Sequence, residues 1–276
     1  MHGRIVKKSA EDTTQASMSI DKSTASRKTA LVTGAAKRIG RAIAIALAQR
    51  GWDVVVHYAR SADDAQATVA EIEALGCNAI ALPCDLNDEA AVKALLRSAA
   101  AQLGPISCVV NNASLFDYDS ATDFSAASLD AHMHVNLVAP VLLAQTLFEE
   151  TPDGAQSVVV NLLDQKLFNL NPDFLSYTLS KAALHSATTM LAQALAPKVR
   201  VVGVAPGITL VSGDQSETEF ERAHKVTPLG RSSTPQDIAA TVCFVVESPS
   251  ITGTTIVVDG GQHLIPLQRD VMFVAS

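Results

Sequence analysis

A tyrosine and a lysine four residues apart, Tyr177 and Lys181, are the side chains of this chain best suited to proton transfer. On a helix, side chains at this spacing project from the same face, so the ammonium can lie beside the phenol. Such a cation stabilises phenolate, and we expect it to lower the pKa of Tyr177 towards the neutral range in which acid–base catalysts work. The alternative is a solvated helix face, and the preceding residues decide between the two.

Two further polar residues precede this pair. Asp164 follows an apolar stretch, residues 157–163, that predicts a strand. A carboxylate at the carboxyl end of a central strand can accept hydrogen bonds from a ligand or relay a proton, although it can also cap a loop turn. Asn136 is an amide within an apolar helix. It holds a water or bends that helix, unless it is a satisfied structural amide.

A glycine-containing turn joins the first predicted strand, residues 28–33, to an alanine-rich helix predicted over residues 41–50. Backbone N–H groups and the helix dipole at such a turn attract a phosphate, although the same residues can form a plain connection. Gly34 permits the tight turn and Gly40 lets the helix approach the sheet. Between them, Arg38 precedes Ile39 and adds a fixed cation to the phosphate site.

The residues that follow the next two strands indicate where the adenosine half of a dinucleotide would bind. An acidic residue after the second strand would bind both ribose hydroxyls of NAD, but the chain there reads Tyr58, Ala59, Arg60, Ser61. This favours NADP, with its 2′-phosphate on Arg60 and Ser61. The alternative is a solvated arginine and a serine that caps the next helix. After the third strand, Asp85 either accepts from the adenine amine or caps a helix beginning near residue 87.

Strands and helices alternate along the chain, which predicts an α/β fold: a single doubly wound, Rossmann-like domain with a mainly parallel seven-stranded sheet. We assign residues 28–265 to this domain, with a substrate lid at 210–225 that is polar and has few order signals. Residues 1–27 are predicted to be a disordered tail in which Met18 is a possible true start, and 266–276 a C-terminal tail.

Composition excludes several classes of function. A formal charge of −7 argues against nucleic acid or an anionic membrane as the main partner. No uninterrupted apolar run reaches the length of a membrane span. The four cysteines are scattered without a CxxC pattern, and the two histidines His132 and His134 do not share a helical face, so no metal site is expected. We therefore expect a cytoplasmic protein.

Residues 28–264 resemble the short-chain dehydrogenase/reductase family, in which motifs matching Gly34 to Gly40, Asp85, Asn136 and Tyr177 to Lys181 occur in this order. Most members have glycine where this chain has Arg38 and a catalytic serine where it has Asp164. Both departures are typical of the pteridine reductase branch, which also includes dihydromonapterin reductases. The branch implies NADPH as the cofactor, and the wider family implies a homotetramer. Further matches lie at Asn111 to Ala113, at Pro206 and Gly207, and at Asp259 to Gly261.

The resemblance implies hydride transfer to a C=N bond of a pterin, such as dihydrobiopterin, dihydromonapterin or dihydrofolate. Tyr177 would donate the proton with Lys181 as its support, Asp164 would accept from the pterin, and Asn136 would complete the catalytic set. Phe116 would stack on the pterin, although a loop phenylalanine is often a core plug. An NADPH-dependent carbonyl reductase acting on a ketone or 3-oxoacyl substrate and a non-catalytic NADP-binding regulatory module are the alternatives. The resemblance places the cofactor on Gly34, Arg38, Ile39, Gly40, Tyr58, Arg60, Ser61, Asp85, Leu86, Asn112, Ala113, Ser114, Tyr177, Lys181, Pro206, Gly207 and Ile208, and the substrate on Arg38, Ser114, Phe116, Asp164 and Tyr177.

Overall fold

The structure is a computed structural model that describes residues 28–211, 217–225 and 227–274. The predicted disordered tail, residues 1–27, lies outside the described residues, as do residues 212–216 of the predicted lid.

The centre of the protein is one sheet of seven strands in the order β3-β2-β1-β4-β5-β6-β7. Every pairing along it is parallel, which confirms the predicted fold class. The chain leaves β1 in one direction to form β2 and β3 and then crosses to β4 on the other side. Ligands of such sheets bind at the carboxyl ends of the strands near this reversal. The strands are β1 Thr29–Val32, β2 Asp53–Tyr58, β3 Ala79–Pro83, β4 Ile106–Asn111, β5 Ser157–Leu162, β6 Val199–Pro206 and β7 Thr255–Val258.

Helices cover both faces of the sheet, so the strands are buried on both sides and consist largely of valine, isoleucine and leucine. One apolar core packs α1, α2 and α8 on one face, and a second packs α3, α5 and α6 on the other. The four cysteines are free and buried within these layers. The helices are α1 Arg38–Ala48, α2 Ala62–Ala74, α3 Glu89–Leu103, α4 Ala126–Met133, α5 Ala139–Glu150, α6 Leu175–Ala194, α7 Glu217–Lys225, α8 Pro235–Glu247 and α9 Val271–Val274.

Helices α4 and α5 are joined by a π-helical turn, His134–Val138, into one continuous helix over Ala126–Glu150. By length and composition alone these 25 residues are apolar enough to cross a membrane. In the structure α5 packs against β4 and β5, as the core helix of an α/β domain does. The π-helical turn contains Asn136, so the helix is irregular at the residue that the sequence singled out.

Two boundaries differ from those predicted. Helix α1 begins at Arg38 rather than at residue 41, so the turn that precedes it is shorter than expected. Within the segment assigned to the lid, residues 217–225 form α7. Within the predicted C-terminal tail, the N–H of Asp270 donates to Asp173 Oδ2 and the ring of Phe273 contacts that of Tyr118.

Candidate active site

A cavity of about 440 Å³ opens at the carboxyl ends of the strands. It brings together side chains from seven parts of the chain that are far apart in sequence. Its lining contains eleven of the residues predicted for the site: Arg38, Ile39, Asn112, Ser114, Phe116, Asp164, Tyr177, Lys181, Pro206, Gly207 and Ile208. Both the predicted catalytic pair and the predicted substrate-binding residues therefore face one space.

Tyr177 and Asp164 are directly hydrogen-bonded within this cavity. The Tyr177 hydroxyl donates to Asp164 Oδ2 at 2.7 Å, and the backbone N–H of Lys166 donates to Asp164 Oδ1 at 2.8 Å. Helix α6 holds the tyrosine, while the carboxylate sits just after β5 at the start of a 3₁₀ turn. Burial raises the pKa of Asp164 above its ordinary value, although the hydrogen bonds from Lys166 N–H and Tyr177 oppose this rise.

Lys181 lies on the same side of α6 as Tyr177, as its spacing predicted, but it does not lower the pKa of the phenol. Its Nζ atom donates to Leu162 O at 2.8 Å and lies 5.8 Å from the centroid of the tyrosine ring. Burial, followed by the nearby Asp164 carboxylate, raises the pKa of Tyr177 well above its usual value. Burial also lowers the pKa of Lys181 to about 8. The expected direction for Tyr177 is wrong in this structure, because burial and the hydrogen-bonded Asp164 carboxylate both oppose ionisation of the phenol.

Asn136 is buried behind the cavity and is not among its lining residues. Its Oδ1 accepts from the N–H of Leu115 at 2.8 Å, and its Nδ2 donates to Leu115 O and to Ser180 Oγ, each at 2.9 Å. Both amide hydrogens are therefore used within the protein. The side chain ties the loop after β4 to helix α6, and so holds in place the segment that carries Phe116.

Phe116 belongs to an aromatic cluster with Phe174, Tyr118 and Phe273. Its ring stacks on Phe174 with a centroid distance of 4.4 Å and meets the edge of Tyr177 at 4.6 Å. It remains 39% exposed and lines the cavity, so it is not a core plug. Phe174 adopts a left-handed backbone conformation (φ +56°), which is uncommon for a bulky residue and directs the chain into α6 beneath Phe116.

The glycine turn is built as a cradle that a side chain would fill. Gly34 has φ +62°, and a Cβ atom on Gly40 would lie 2.2 Å from the carbonyl oxygen of Gly34. Gly40 therefore allows α1 to approach the turn itself, not only the sheet. Asn112 completes the cradle, since its Nδ2 donates to Thr33 O at 2.8 Å and to Gly34 O at 3.3 Å.

Arg38 occupies an unusual position at the start of α1. Its φ of +55° lies in the left-handed region, which explains why glycine is common at this point of the fingerprint. The guanidinium lines the cavity and donates from Nη2 to Val211 O at 2.8 Å. The predicted phosphate-binding cation thus also connects the glycine turn to the loop after β6.

His57 supports the same turn, although the sequence analysis did not select it. The N–H of Gly34 donates to His57 Nδ1 at 3.0 Å, so that Nε2 carries the hydrogen and donates to Cys84 O at 3.1 Å. The ring is 1% exposed. Burial lowers the pKa of His57, which keeps it neutral. A polar residue inside the valine run of β2 was the signal that could have revealed it.

The residues predicted for the adenosine half lie beyond the cavity, at the ends of β2 and β3. Arg60 is exposed, and Ser61 stands at the N-cap of α2 without making a side-chain capping bond. Asp85 accepts from Asn87 N at 2.9 Å, whereas Asp88 caps α3, so the capping alternative for Asp85 is wrong. The three residues that follow β2, at positions 59–61, include no acid. Tyr58, Ala113 and Leu86 pack against the apolar cores behind these ends.

The loop after β6 lies tightly against the last strand. A Cβ atom on Gly207 would meet Ser232 Oγ at 2.5 Å and Asp259 Cβ at 2.7 Å. The N–H of Ile208 donates to Gln262 Oε1 at 3.1 Å, and Gln262 itself lines the cavity. Pro206, Gly207 and Ile208 therefore form a fixed wall opposite the turn.

A second group of cavity residues was not predicted from the sequence. Lys166 is 3% exposed and forms an ion pair with Asp270, with 3.0 Å between Nζ and Oδ2. Gln165 and Val271 line the cavity beside them. No sequence pattern indicated them, because a lysine in a loop and an aspartate near the chain end are ordinary surface residues.

Comparison with known proteins places this geometry in a family. Residues 34–263 match the family model described as enoyl-(acyl carrier protein) reductase. The chain is 33% identical over 249 residues to an L-rhamnose 1-dehydrogenase of Sphingomonas, covering 86% of this chain and 96% of the relative. It is 31% identical over 242 residues to a Staphylococcus aureus 3-oxoacyl-[acyl-carrier-protein] reductase, FabG, covering 86% of this chain and 98% of the relative.

Among solved structures, the fold is similar to that of FolM alternative dihydrofolate reductase 1 from Brucella canis, which was crystallised with NADP. The TM-score is 0.85 and the sequence identity 43%, with 89% of this chain and 97% of the other covered. The family model and these relatives span the turn, the Tyr177 and Lys181 pair and the wall after β6. This chain is therefore an oxidoreductase of the short-chain dehydrogenase/reductase family, in its pteridine reductase-like branch.

Proposed function

We propose that this oxidoreductase uses NADPH to reduce a C=N bond of a dihydropterin, giving the tetrahydropterin. The observation that carries the proposal is the 2.7 Å hydrogen bond between Tyr177 and Asp164 inside a cavity lined by Phe116. A carboxylate beside the proton donor suits a substrate that presents N–H groups.

The residues fit NADP(H) on the geometry of the cradle. Gly40 packs so closely on Gly34 that a Cβ atom there would lie 2.2 Å from Gly34 O, which keeps the turn tight at the amino end of α1, where phosphate is favoured. Arg38 adds a cation there, and exposed Arg60 stands at the end of β2 where an NAD-selective site would carry an acid. The related Brucella structures contain NADP. We assign the pyrophosphate to the turn, the 2′-phosphate to Arg60 and Ser61, and the adenine to the neighbourhood of Asp85 and Leu86.

The cofactor supplies a hydride when bound, and the protein must supply the proton that completes reduction of C=N. Burial and the Asp164 carboxylate raise the pKa of Tyr177 well above its ordinary value, so the phenol keeps its proton at neutral pH. We assign proton donation to the Tyr177 hydroxyl, with Asp164 accepting from the substrate and sharing in proton delivery. Lys181 is held by Leu162 O and is assigned to the nicotinamide ribose.

The aromatic cluster favours a flat heterocycle as substrate. Phe174 stacks on one face of Phe116, Tyr177 meets it edge to face, and Phe116 lines the cavity. Aromatic rings stack well on other flat rings in this offset arrangement. A pterin presents both the flat face for Phe116 and the N–H edge for Asp164. The similar Brucella canis protein is an alternative dihydrofolate reductase, which agrees with this substrate class.

A substrate panel tests the proposal. The full chain would be mixed with NADPH, and the loss of NADPH absorbance followed with 7,8-dihydrobiopterin, dihydromonapterin, dihydrofolate and a set of ketones and 3-oxoacyl thioesters. We expect turnover of at least one dihydropterin with a kcat/KM above that of every carbonyl compound. Faster turnover of a carbonyl compound would contradict the proposal.

Carbonyl reduction is the second candidate, because the Staphylococcus relative is a 3-oxoacyl reductase and its alignment covers 86% of this chain. Carbonyl reduction needs a donor to oxygen, for which serine is better suited than the carboxylate of Asp164. Membership of an oxidoreductase family, together with Tyr177 and Lys181 facing the cavity, argues against a non-catalytic regulatory module. Assembly as a homotetramer, a cytoplasmic location and lid function for residues 210–225 stay predictions.

A further inference from the structure

Residues 265–274, which we call the C-terminal segment, form part of the wall of the cavity. Asp270 and Val271 line the cavity. At the start of the segment, Ile265 O accepts from Asn169 Nδ2 at 2.5 Å. At its end, α9 packs against α7, the helix within the predicted lid. The segment therefore connects the loop after Asp164 to the lid region.

A buried ion pair anchors the middle of the C-terminal segment. Lys166 Nζ donates to Asp270 Oδ2 at 3.0 Å and to Asp173 O at 2.6 Å, and it lies 5.3 Å from the ring centroid of Phe174. The side chains of Lys166 and Asp270 are only 4% and 15% exposed. Removing one member of such a pair would leave the other charge buried without compensation, so in this position of the segment each residue depends on the other.

A second ion pair lies next to the first. Arg269 Nε donates to both carboxylate oxygens of Asp173, at 3.0 and 2.9 Å, and the N–H of Asp270 donates to Asp173 Oδ2 at 2.7 Å. The arginine also lies 4.9 Å from the ring centroid of Phe273, which packs against Phe174 and Tyr118. The C-terminal segment is thus held on the aromatic cluster by charge and by ring contacts.

Lys166 connects the C-terminal segment to Asp164, one member of the proposed proton-donating pair. Its backbone N–H donates to Asp164 Oδ1, while its side chain holds Asp270. The cavity of about 440 Å³ lies towards the small end of ligand sites, which span roughly 300–1,000 Å³. Because this space must hold a nicotinamide as well as the substrate, a fixed wall leaves little room for a long substituent on the pterin ring.

We propose, on the basis of the function proposed above, that the pairs Lys166–Asp270 and Arg269–Asp173 determine substrate specificity. They hold the C-terminal segment closed, so that the cavity accepts a compact dihydropterin and discriminates against one with a long acidic tail, such as dihydrofolate. The two pairs meet at Asp173, because Lys166 binds its carbonyl oxygen and Arg269 binds its carboxylate. Arg269 and Asp270 are also neighbours in the C-terminal segment. Both pairs must therefore break before the segment can move away from the cavity.

The kinetic test compares Asp270→Asn and Arg269→Gln with the unaltered chain. We expect the kcat/KM for dihydrofolate relative to dihydrobiopterin to rise about tenfold in Asp270→Asn, mainly through a lower KM for dihydrofolate. A smaller rise is expected in Arg269→Gln, because this arginine is 52% exposed. The matched control is Arg97→Gln, which breaks an exposed ion pair with Glu149 and Glu150 and should leave the ratio unchanged.

Hydrogen exchange provides a readout that needs no turnover. Amides of residues 265–274 should exchange severalfold faster in Asp270→Asn than in the unaltered chain, while those of β2 keep their protection. The double variant Lys166→Met with Asp270→Leu replaces the pair by apolar side chains of similar size, and it should restore slow exchange. Restoration would show that the unpaired charge, not a lost packing contact, opens the segment.

Two results would overturn the inference. Unchanged exchange in both single variants means that the pairs do not hold the segment. Faster exchange with an unchanged substrate ratio means that the wall does not select substrates. Failure of the proposed function is recognised separately, because the unaltered chain would then reduce no dihydropterin, whereas failure of the inference appears only as a missing difference between the variants and the unaltered chain.

Discussion

The Tyr177 hydroxyl donates a 2.7 Å hydrogen bond to Asp164 Oδ2, so the proposed proton donor is already engaged by a carboxylate. In this arrangement the aspartate orients the phenol and opposes its ionisation. A carbonyl substrate would have to compete with Asp164 for the only proton of the hydroxyl. A ring that offers N–H groups to Asp164 and an unprotonated nitrogen to Tyr177 can use both residues together.

Replacing Asp164 by serine should therefore separate chemistry from cofactor binding. We expect Asp164→Ser to lower kcat/KM for dihydropterin by about 100-fold, the size of a general acid–base contribution, because the acceptor for the substrate N–H groups is lost. The Kd for NADPH, measured by fluorescence titration, should change little. Stopped-flow single-turnover experiments would assign the loss to the chemical step.

The control for this prediction is Asp153→Asn, which removes a fully exposed carboxylate at a distance from the cavity. Asp153→Asn should leave both the kcat/KM for dihydropterin and the Kd for NADPH unchanged. Equal losses of turnover and of NADPH binding in Asp164→Ser would contradict the role given to Asp164.

Replacing Lys181 by methionine should expose the energetic cost of its buried charge. Because the pKa of Lys181 falls from 10.5 to about 8 on folding, the unfolded chain binds more protons between these values, and stability from this group rises with pH across that window. Below about pH 8 the charged, buried lysine costs up to about 3 kcal/mol. Lys181→Met should therefore be more stable than the unaltered chain at pH 7, by a margin that shrinks towards pH 10.

Denaturant unfolding at a series of pH values measures this margin. Activity should nevertheless fall by at least about 100-fold, because the ammonium assigned to the nicotinamide ribose is lost. A margin that does not depend on pH would show that the pKa of Lys181 is not lowered in the folded protein.

Much of the site was accessible from the sequence because it lies at fixed places in the fold. The turn from Gly34 to Gly40, the pair Tyr177 and Lys181, and Asp164 all follow strands whose ends meet at one edge of a parallel sheet, so their order along the chain predicts that they converge. The local sequence pattern was therefore sufficient to predict that these residues lie together.

The pKa of Tyr177 and the wall formed by Lys166 and Asp270 were not accessible. The first depends on how deeply the hydroxyl is buried and on its contact with the Asp164 carboxylate, which spacing along a helix does not determine. The second joins residues 104 positions apart through the packing of the chain end. Asn136 lies between these cases, because its burial was predictable but its three hydrogen-bond partners were not.

Replacing His57 should weaken cofactor binding without touching the cavity. His57→Leu keeps the ring's approximate volume but removes the acceptor for Gly34 N–H and the donor to Cys84 O. Each lost partner leaves a buried backbone group unsatisfied, at about 1–3 kcal/mol. We expect a Kd for NADPH raised about tenfold, with kcat at saturating NADPH changed much less.

The same histidine predicts a dependence of stability on pH. Since the folded pKa of His57 lies below 6.5, its contribution is complete above 6.5 and is lost as pH falls through the lower folded value. Thermal unfolding below pH 6.5 should therefore show a steeper loss of stability in the unaltered chain than in His57→Leu. Parallel curves for the two proteins would contradict a neutral, buried histidine.

Adding a single methyl group at Gly40 should disrupt the cofactor cradle. In Gly40→Ala the new Cβ would lie 2.2 Å from Gly34 O and 2.5 Å from Asn112 Nδ2, and the nearer of these atoms belongs to the backbone and cannot rotate away. We expect α1 to shift away from the turn, a loss of stability of about 1–3 kcal/mol and NADPH binding too weak to titrate.

Gly76→Ala is the control, because Gly76 lies between α2 and β3 with φ +82° and has nothing within 4 Å of its added Cβ. It should cost about 1 kcal/mol through backbone strain alone and leave NADPH affinity intact. Calorimetric unfolding and NADPH titration of the two variants separate these effects. Tight NADPH binding by Gly40→Ala would show that the phosphate site tolerates a wider turn, and it would remove the steric argument for placing the pyrophosphate there.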